Sequence, residues 1–428
     1  MRTGINRRQF LGRTAVGGAL AGLGLTSAAR AQSPNNRITV GVLGAQRGAR
    51  LAREFAQQDN CVVKHVCDVD RNRVDELAGA LEELTGEAPN AVQDFREVYD
   101  DPEVDAVAMA LPVHWHAPAA ILALQADKHV YVEKPCCHNP HEGELLVEAA
   151  RHYDKAVQMG NQRRSWPRIR EGMQRLHEGD IGRVYYSRCW YASTRGAVNL
   201  GDEVDPPGHL DYELWQGPAP RRPYVENRIH YNWHWFWHWG TGEAGNNGVH
   251  AMDLSRWGLD VDYPIRVTSA GGRYRFDDDQ DTPDTHVVSF DFPDGKSMMW
   301  ECLSCNQPGL GGTSFGAAFF GEEGSLRIDG GGYVIRDVEG REVESESGSS
   351  GDAGHVEDFL TAIREDAPLD LHSEIEEGYK SALLPLLGNI SHRVGRSLQC
   401  GERGRIEGDA DAEALWSREY EPGWEPEV

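Results

Sequence analysis

The sequence predicts an α/β protein in two parts, a doubly wound parallel domain followed by a strand-rich domain. Three observations carry this. Short apolar runs alternate with helical stretches between residues 38 and 159, the first of these runs passes straight into a glycine turn, and from Ile265 onward strand follows strand.

The opening unit is the most specific. Ile38–Leu43 is a compact apolar strand that leads into Gly44, Ala45, Gln46, Arg47, Gly48 and Ala49. A helix over 50–57 follows, then a strand over 62–67 that ends at Asp68. Strand, glycine turn, helix, strand and acid form the order of a Rossmann dinucleotide-binding unit. Gly44 and Gly48 allow a tight turn, and the helix amino terminus receives a pyrophosphate. Gln46 stands where a strict G-x-G-x-x-G has its second glycine, so Gln46 and Arg47 are placed beside the phosphates. Asp68 takes the ribose hydroxyls and favours NAD over NADP, because a 2′-phosphate would meet a carboxylate.

The alternation continues through a helix over 71–84 and a strand over 104–111, with His114 and His116 in the loop beyond it as nucleotide contacts. A helix over 119–125 leads to the strand 130–132, which stops at Glu133, Lys134 and Pro135. Proline cannot donate to a continuing ladder, so Lys134 sits at the carboxyl rim of the sheet, where ligands gather in open α/β folds. A helix over 140–153 and a strand over 156–159 complete a nucleotide domain at 32–160. His129 belongs to the opposite rim.

Ahead of that domain, Arg7 and Arg8 precede a Gly- and Ala-rich apolar run, and Ala29-Arg30-Ala31 follows. This is the layout of a twin-arginine export peptide at 1–31, too short and glycine-rich for a membrane span. Export of a folded protein to the periplasm or beyond implies a cofactor that is loaded first and kept. With 43 Lys and Arg against 68 Asp and Glu, the net charge of −25 argues against nucleic acid or an anionic membrane as partner.

The glycine turn, the loop PVHWHAP, the phrase KHVYVEKP and a later G-x-H-x-x-D together resemble the family of glucose-fructose oxidoreductase, inositol dehydrogenase and the rhizopine catabolism oxidoreductases. The resemblance covers essentially the whole chain after the export peptide. It implies that the second domain is an α/β unit with a large open, mostly antiparallel sheet, through which the family often assembles as homo-oligomers. It further implies oxidation or reduction of a sugar or cyclitol hydroxyl by bound nicotinamide, with Lys134 meeting both substrate and cofactor. His250 matches the catalytic histidine and Asp253 the acid one turn on. Asn246 stands where the family has an aspartate.

The second domain spans 161–400, and an acidic tail covers 401–428. Arg163 marks the crossing between domains, and residues 184–191, which include Trp190, read as a strand. The stretch 229–239, IHYNWHWFWHW, offers aromatic faces to a sugar ring, or else fills a domain core. His234 and Trp235 are its candidate substrate contacts, with Arg163, Trp190 and Asn247. His230, His234 and His238 share one helical face, but alternating tryptophans argue against helix, so no metal is assigned. His250 follows a glycine-rich loop at a helix entrance, a suitable place for a general acid or base. The loop 277–284 and the run 339–352 read as solvated polar surface, and Cys302 and Cys305 as packing residues.

Three activities fit these residues: an NAD-dependent oxidoreductase on a sugar, glycoside or cyclitol; glycoside cleavage through transient oxidation at C3; and a non-catalytic glycan-binding protein.

Overall fold

Strand-forming apolar runs and glycine turns organise two sheets in the computed structural model, which describes residues 36–306 and 309–428. The export peptide expected at 1–31 lies outside the described residues. In the first sheet β1 (Ile38–Leu43), β2 (Cys61–Cys67), β3 (Asn90–Val92), β4 (Ala106–Met109), β5 (His129–Val132) and β6 (Val157–Met159) run parallel in the order β3-β2-β1-β4-β5-β6. The crossovers are α1 (Arg47–Ala56), α2 (Arg71–Thr85), α3 (Arg96–Tyr99), α4 (Val113–Gln125) and α5 (Pro140–His152). Every residue of β4 is buried, as expected of a strand covered on both faces.

After α6 (Pro167–Glu178) the chain forms β7 (Val184–Ala192), α7 (Tyr212–Gln216) and α8 (Val249–Leu259). The remaining strands are β8 (Arg266–Gly272), β9 (Thr285–Asp291), β10 (Ser297–Leu303), β11 (Phe315–Gly321), β12 (Gly324–Asp329), β13 (Gly332–Asp337) and β14 (Glu342–Glu346). The helices α9 (Ala353–Arg364) and α10 (Ile375–Val394), the short β15 (Leu398–Gln399) and α11 (Ala410–Glu413) close the fold. This second sheet has the order β14-β13-β12-β11-β7-β10-β9-β8-β15 and is antiparallel except where β10 meets β7. Burial alternates along β9 and β10, so one face is packed and the other more open. Among the described residues no helix is long and apolar enough to cross a membrane.

Several local expectations change. His114 and His116 lie in the first turn of α4, which starts at Val113 and carries Pro118 in its own first turns. The aromatic run is not extended: Asn232–Trp235 is a 3₁₀ turn, with the Trp233 indole donating to the His230 carbonyl. The run 339–352 supplies the edge strand β14 and ends at a buried Asp352. The 277–284 loop is likewise not a solvated face, because Asp278 pairs with Arg273 while Asp284 and Gln280 are buried. The tail folds back onto the first sheet's helices, where Arg418 pairs with Glu142 at 2.7 Å and Trp424 meets Trp115 edge-on.

Burial of histidines gives the fold a pH dependence. His114, His138 and His250 are pushed well below the ordinary value of 6.5, His355 to about 4 and His234 to about 3, chiefly by loss of solvent. Since the folded values lie below the unfolded one, the unfolded chain takes up protons first. Stability is therefore whole above about pH 6.5 and is lost as pH falls through it, by up to about 1.4 kcal/mol per pH unit for each histidine. The thermal midpoint should decline steadily from about pH 6.5 to about pH 4; a constant midpoint over that window would contradict this burial pattern.

Candidate active site

The carboxyl ends of β1, β2, β4 and β5 open onto one cavity of about 720 Å³, walled on its other side by the aromatic turn, the start of α8 and residues 350–352. Gly44 has φ +92°, and a Cβ there would lie 2.4 Å from the Ala110 carbonyl oxygen, so only glycine fits this turn. The Ala45 amide donates to Asp68 at 2.7 Å and the Asp70 amide to its other oxygen at 2.9 Å. Gln46 stands at the amino cap of α1 without a side-chain cap bond, leaving backbone donors at that end for an anion.

Beside the turn, Arg47 donates to Glu133 at 2.7 Å and to Asp352 at 2.9 Å, and Arg50 pairs with Asp352 at 2.7 Å. Glu133 also accepts from Gln162 at 3.1 Å and from the Lys134 amide at 3.2 Å. Glu133 thus orients its neighbours.

Lys134 reaches across to the second sheet's elements. Its Nζ donates to the Asn246 carbonyl at 2.7 Å and lies 3.4 Å from the Asn246 Oδ1. Asn246 sits in a π-helical turn, Ala244–Gly248, just before α8, and its Nδ2 donates to buried Glu243 at 3.3 Å. Burial lowers the Lys134 pKa, which Glu133 partly restores, and burial raises that of Glu243. His250 lines the same cavity, and its Nδ1 is buried without a partner. Burial foremost, then Arg163 and Lys134, keeps this imidazole neutral near pH 7, with one of its ring nitrogens unprotonated.

Of the expected site residues, Gly44, Gln46, Arg47, Asp68, His116, Glu133, Lys134, Arg163, His234, Asn246 and His250 line this cavity. Six others do not. Asp253, expected to be the acid, is turned one helical step away and held by Arg164 at 2.9 Å and Ser381 at 2.6 Å. Asn247 donates to Glu243 at 2.5 Å instead of to a ligand. His114 is fully buried and bonded to the Trp215 carbonyl. Trp190 donates to the Thr313 carbonyl beneath β11, and Trp235 packs under Arg195 at 3.8 Å. Gly48 acts in packing, where a Cβ would stand 3.3 Å from the Leu43 carbonyl oxygen. His116 lines the wall with both ring nitrogens already placed on carbonyl oxygens of Pro135 and Leu111.

The aromatic stretch contributes different members from those expected. Tyr231, Trp233 and His234 line the cavity, with the Trp233 and His234 rings stacked at 3.6 Å. The histidines spaced four apart diverge: His230 bonds Asp70, His234 the Tyr231 carbonyl and His238 the Pro220 carbonyl. Asp352, Trp166 and Arg50 line the cavity unforeseen, Asp352 from a polar run with no periodicity to single it out.

Comparison with known proteins agrees with this architecture. Residues 38–161 match the description "oxidoreductase family, NAD-binding Rossmann fold", and residues 186–305 match the same family's "C-terminal alpha/beta domain", together more than half the chain. The chain belongs to this Gfo/Idh/MocA oxidoreductase family. Among its curated relatives, the levoglucosan dehydrogenase of Pseudarthrobacter phenanthrenivorans is 26% identical over 187 residues, 42% of this chain and 41% of that protein. A glycosyl hydrolase family 109 protein of Shewanella pealeana is 28% identical over 177 residues, 36% of this chain and 39% of that protein. The chain thus matches about two fifths of the length of these relatives. The WlbA dehydrogenase of Bordetella pertussis, solved with NADH and UDP-GlcNAcA, shares the fold with a TM-score of 0.63 at 20% identity, covering 85% of this chain and 99% of that one.

Proposed function

We propose that this protein is an NAD-dependent oxidoreductase that acts on a hydroxyl or keto group of a sugar, glycoside or cyclitol and holds its cofactor tightly. The observation that carries this reading is that Lys134, from the end of β5, and His250, from the start of α8, share one cavity with the glycine turn and Asp68. The residues fit a dinucleotide: Gly44 keeps the backbone open, the uncapped end of α1 faces the phosphates, and Asp68 stands for the ribose. When bound, the nicotinamide supplies the hydride acceptor.

The chain supplies the proton chemistry and the binding. Neutral His250 takes the proton from the substrate hydroxyl as the C–H bond breaks. Lys134, fixed by the Asn246 carbonyl, places a positive charge against the developing alkoxide. The Trp233–His234 stack and Tyr231 give flat surfaces for the apolar side of a sugar ring.

The twin-arginine leader supports export to the periplasm or beyond, and the more open face of the nine-stranded sheet supports homo-oligomer formation. Outside the cytosol a freely exchanging nucleotide would be lost. Retention is consistent with Asp352, which ties residues 350–352 to Arg47 and Arg50 beside the glycine turn. Acid extraction of the mature protein should release one equivalent of NAD; a protein that is empty, and stays empty when incubated with NAD, would sink this reading. The family 109 hydrolase relative favours a second reading, glycoside cleavage by transient oxidation. Release of a chromogenic aglycone without added NAD, and with no net change in bound cofactor, selects it.

A further inference from the structure

Arg163 is the least explained charge in the cavity. The other arginines that line it have carboxylates: Arg47 has Glu133 and Asp352, Arg50 has Asp352, and Arg73 approaches Asp70 at 3.9 Å. Its neighbour Arg164 has Asp253. Among the described residues Arg163 makes no ion pair, Asp253 and Asp352 acting on its charge only from beyond contact, and its Nε is buried without a hydrogen-bond partner. Its guanidinium lies 4.1 Å from the centre of the Phe315 ring and 5.1 Å from that of Trp166. Two aromatic rings pack against the cation and offer it no hydrogen-bond acceptor, so its N–H donors remain for a ligand.

The surroundings reinforce this. Among the described residues the Lys134 Nζ hydrogen-bonds only the neutral Asn246 oxygens, Glu133 and Glu243 acting on its charge without an ion-pair contact, while His250 and His234 are held neutral by burial. The cavity's own acids are engaged: Asp68 by backbone amides, Glu133 by Arg47 and Gln162, and Asp352 by Arg47 and Arg50. Glu243 is buried behind Asn246 and Asn247, outside the cavity lining. The end of the cavity that holds Lys134 and His250 therefore carries two cations and no free carboxylate, inside a protein of net charge −25. Burial costs the Arg163 charge enough to bring its pKa down to about 10, yet the charge is kept. A buried cation without a partner is costly unless a ligand supplies the counter-charge.

We propose that the substrate is a sugar acid, whose carboxylate is received by the in-plane donors of Arg163 while the hydroxyl to be oxidised lies against His250 and Lys134. This rests on the oxidoreductase reading above and narrows its substrate class. A planar guanidinium matches a carboxylate in a two-point contact, which fixes the ring's orientation as well as its charge.

The test uses the protein with its cofactor bound and matched pairs that differ at one group: glucuronate and glucose, galacturonate and galactose, gluconate and sorbitol, with glucose 6-phosphate as a second anion. Reduction of the bound nicotinamide is followed by absorbance, and binding of each compound by calorimetry. The acid of at least one pair should be preferred by about 10- to 100-fold in kcat/KM. In Arg163→Met that ratio should fall to near one, whatever the absolute rate, with cofactor content unchanged. Equal use of acid and neutral partners by the wild type, a preference that survives in Arg163→Met, a greater preference for the sugar phosphate, or loss of cofactor from the variant would each overturn the proposal. Acids that bind through Arg163 but never reduce the cofactor would support carboxylate recognition and overturn the oxidoreductase reading instead.

Discussion

Lys134→Ala and His250→Ala should each lower turnover by about 10²- to 10⁴-fold, the range associated with a positioned proton-transfer group. The two should differ in binding. In the proposed reaction His250 serves the reacting hydroxyl alone, and its Nδ1 has no hydrogen-bond partner among the described residues, so its loss should leave the cavity walls in place and bound NAD undisturbed. Lys134 is one of the links between the two sheets' elements, through the Asn246 carbonyl, and its removal takes away a cation as well as a cross-link. Substrate affinity should therefore fall in Lys134→Ala and hold in His250→Ala. Single-turnover reduction of the bound cofactor, read beside substrate titration, separates the effects. Wild-type rates in both variants would take this pair out of the chemistry.

Asp253→Ala should act on stability, with an expected loss of about 3–5 kcal/mol in unfolding free energy. The carboxylate accepts two bonds from Arg164 Nε at 2.9 and 3.1 Å, lies 2.9 Å from its Nη2 and accepts from Ser381 at 2.6 Å, all in a buried site. Truncation leaves a buried guanidinium without its counter-charge, which costs far more than an exposed pair would. Asp253→Asn keeps the shape and should be intermediate. A denaturant midpoint near wild type, accompanied by a selective loss of turnover, would return Asp253 to the catalytic set.

The parallel sheet was legible because its cues are local: Gly44 after a strand, Asp68 after the next, and Lys134 before a proline all report a strand's carboxyl end. The resemblance also implied a large, mostly antiparallel sheet, and β9 and β10 leave a period-two pattern, but β13, β14 and β15 were not foreseen, β14 lying in a run read as polar surface. What could not be read was direction. Asp253 is three residues from His250, close enough to share a face, yet Arg164 draws it to the helix's inner side. Trp235 and Trp233 looked alike in an alternating run, but a 3₁₀ turn puts one under Arg195 and the other in the cavity wall. Asp352 was invisible because its partners, Arg47 and Arg50, lie three hundred residues earlier, and charge pairing at that range leaves no periodic trace.

That long reach sets a timetable. Arg47 follows directly on the first strand of the nucleotide domain, but Asp352 is made only after the whole parallel sheet and every strand of the second sheet except β15. A growing chain can thus complete the Rossmann sheet and present its glycine turn while one wall of the cavity does not yet exist. On the reading proposed above, the wall that would retain a dinucleotide is complete only once synthesis has passed residue 352.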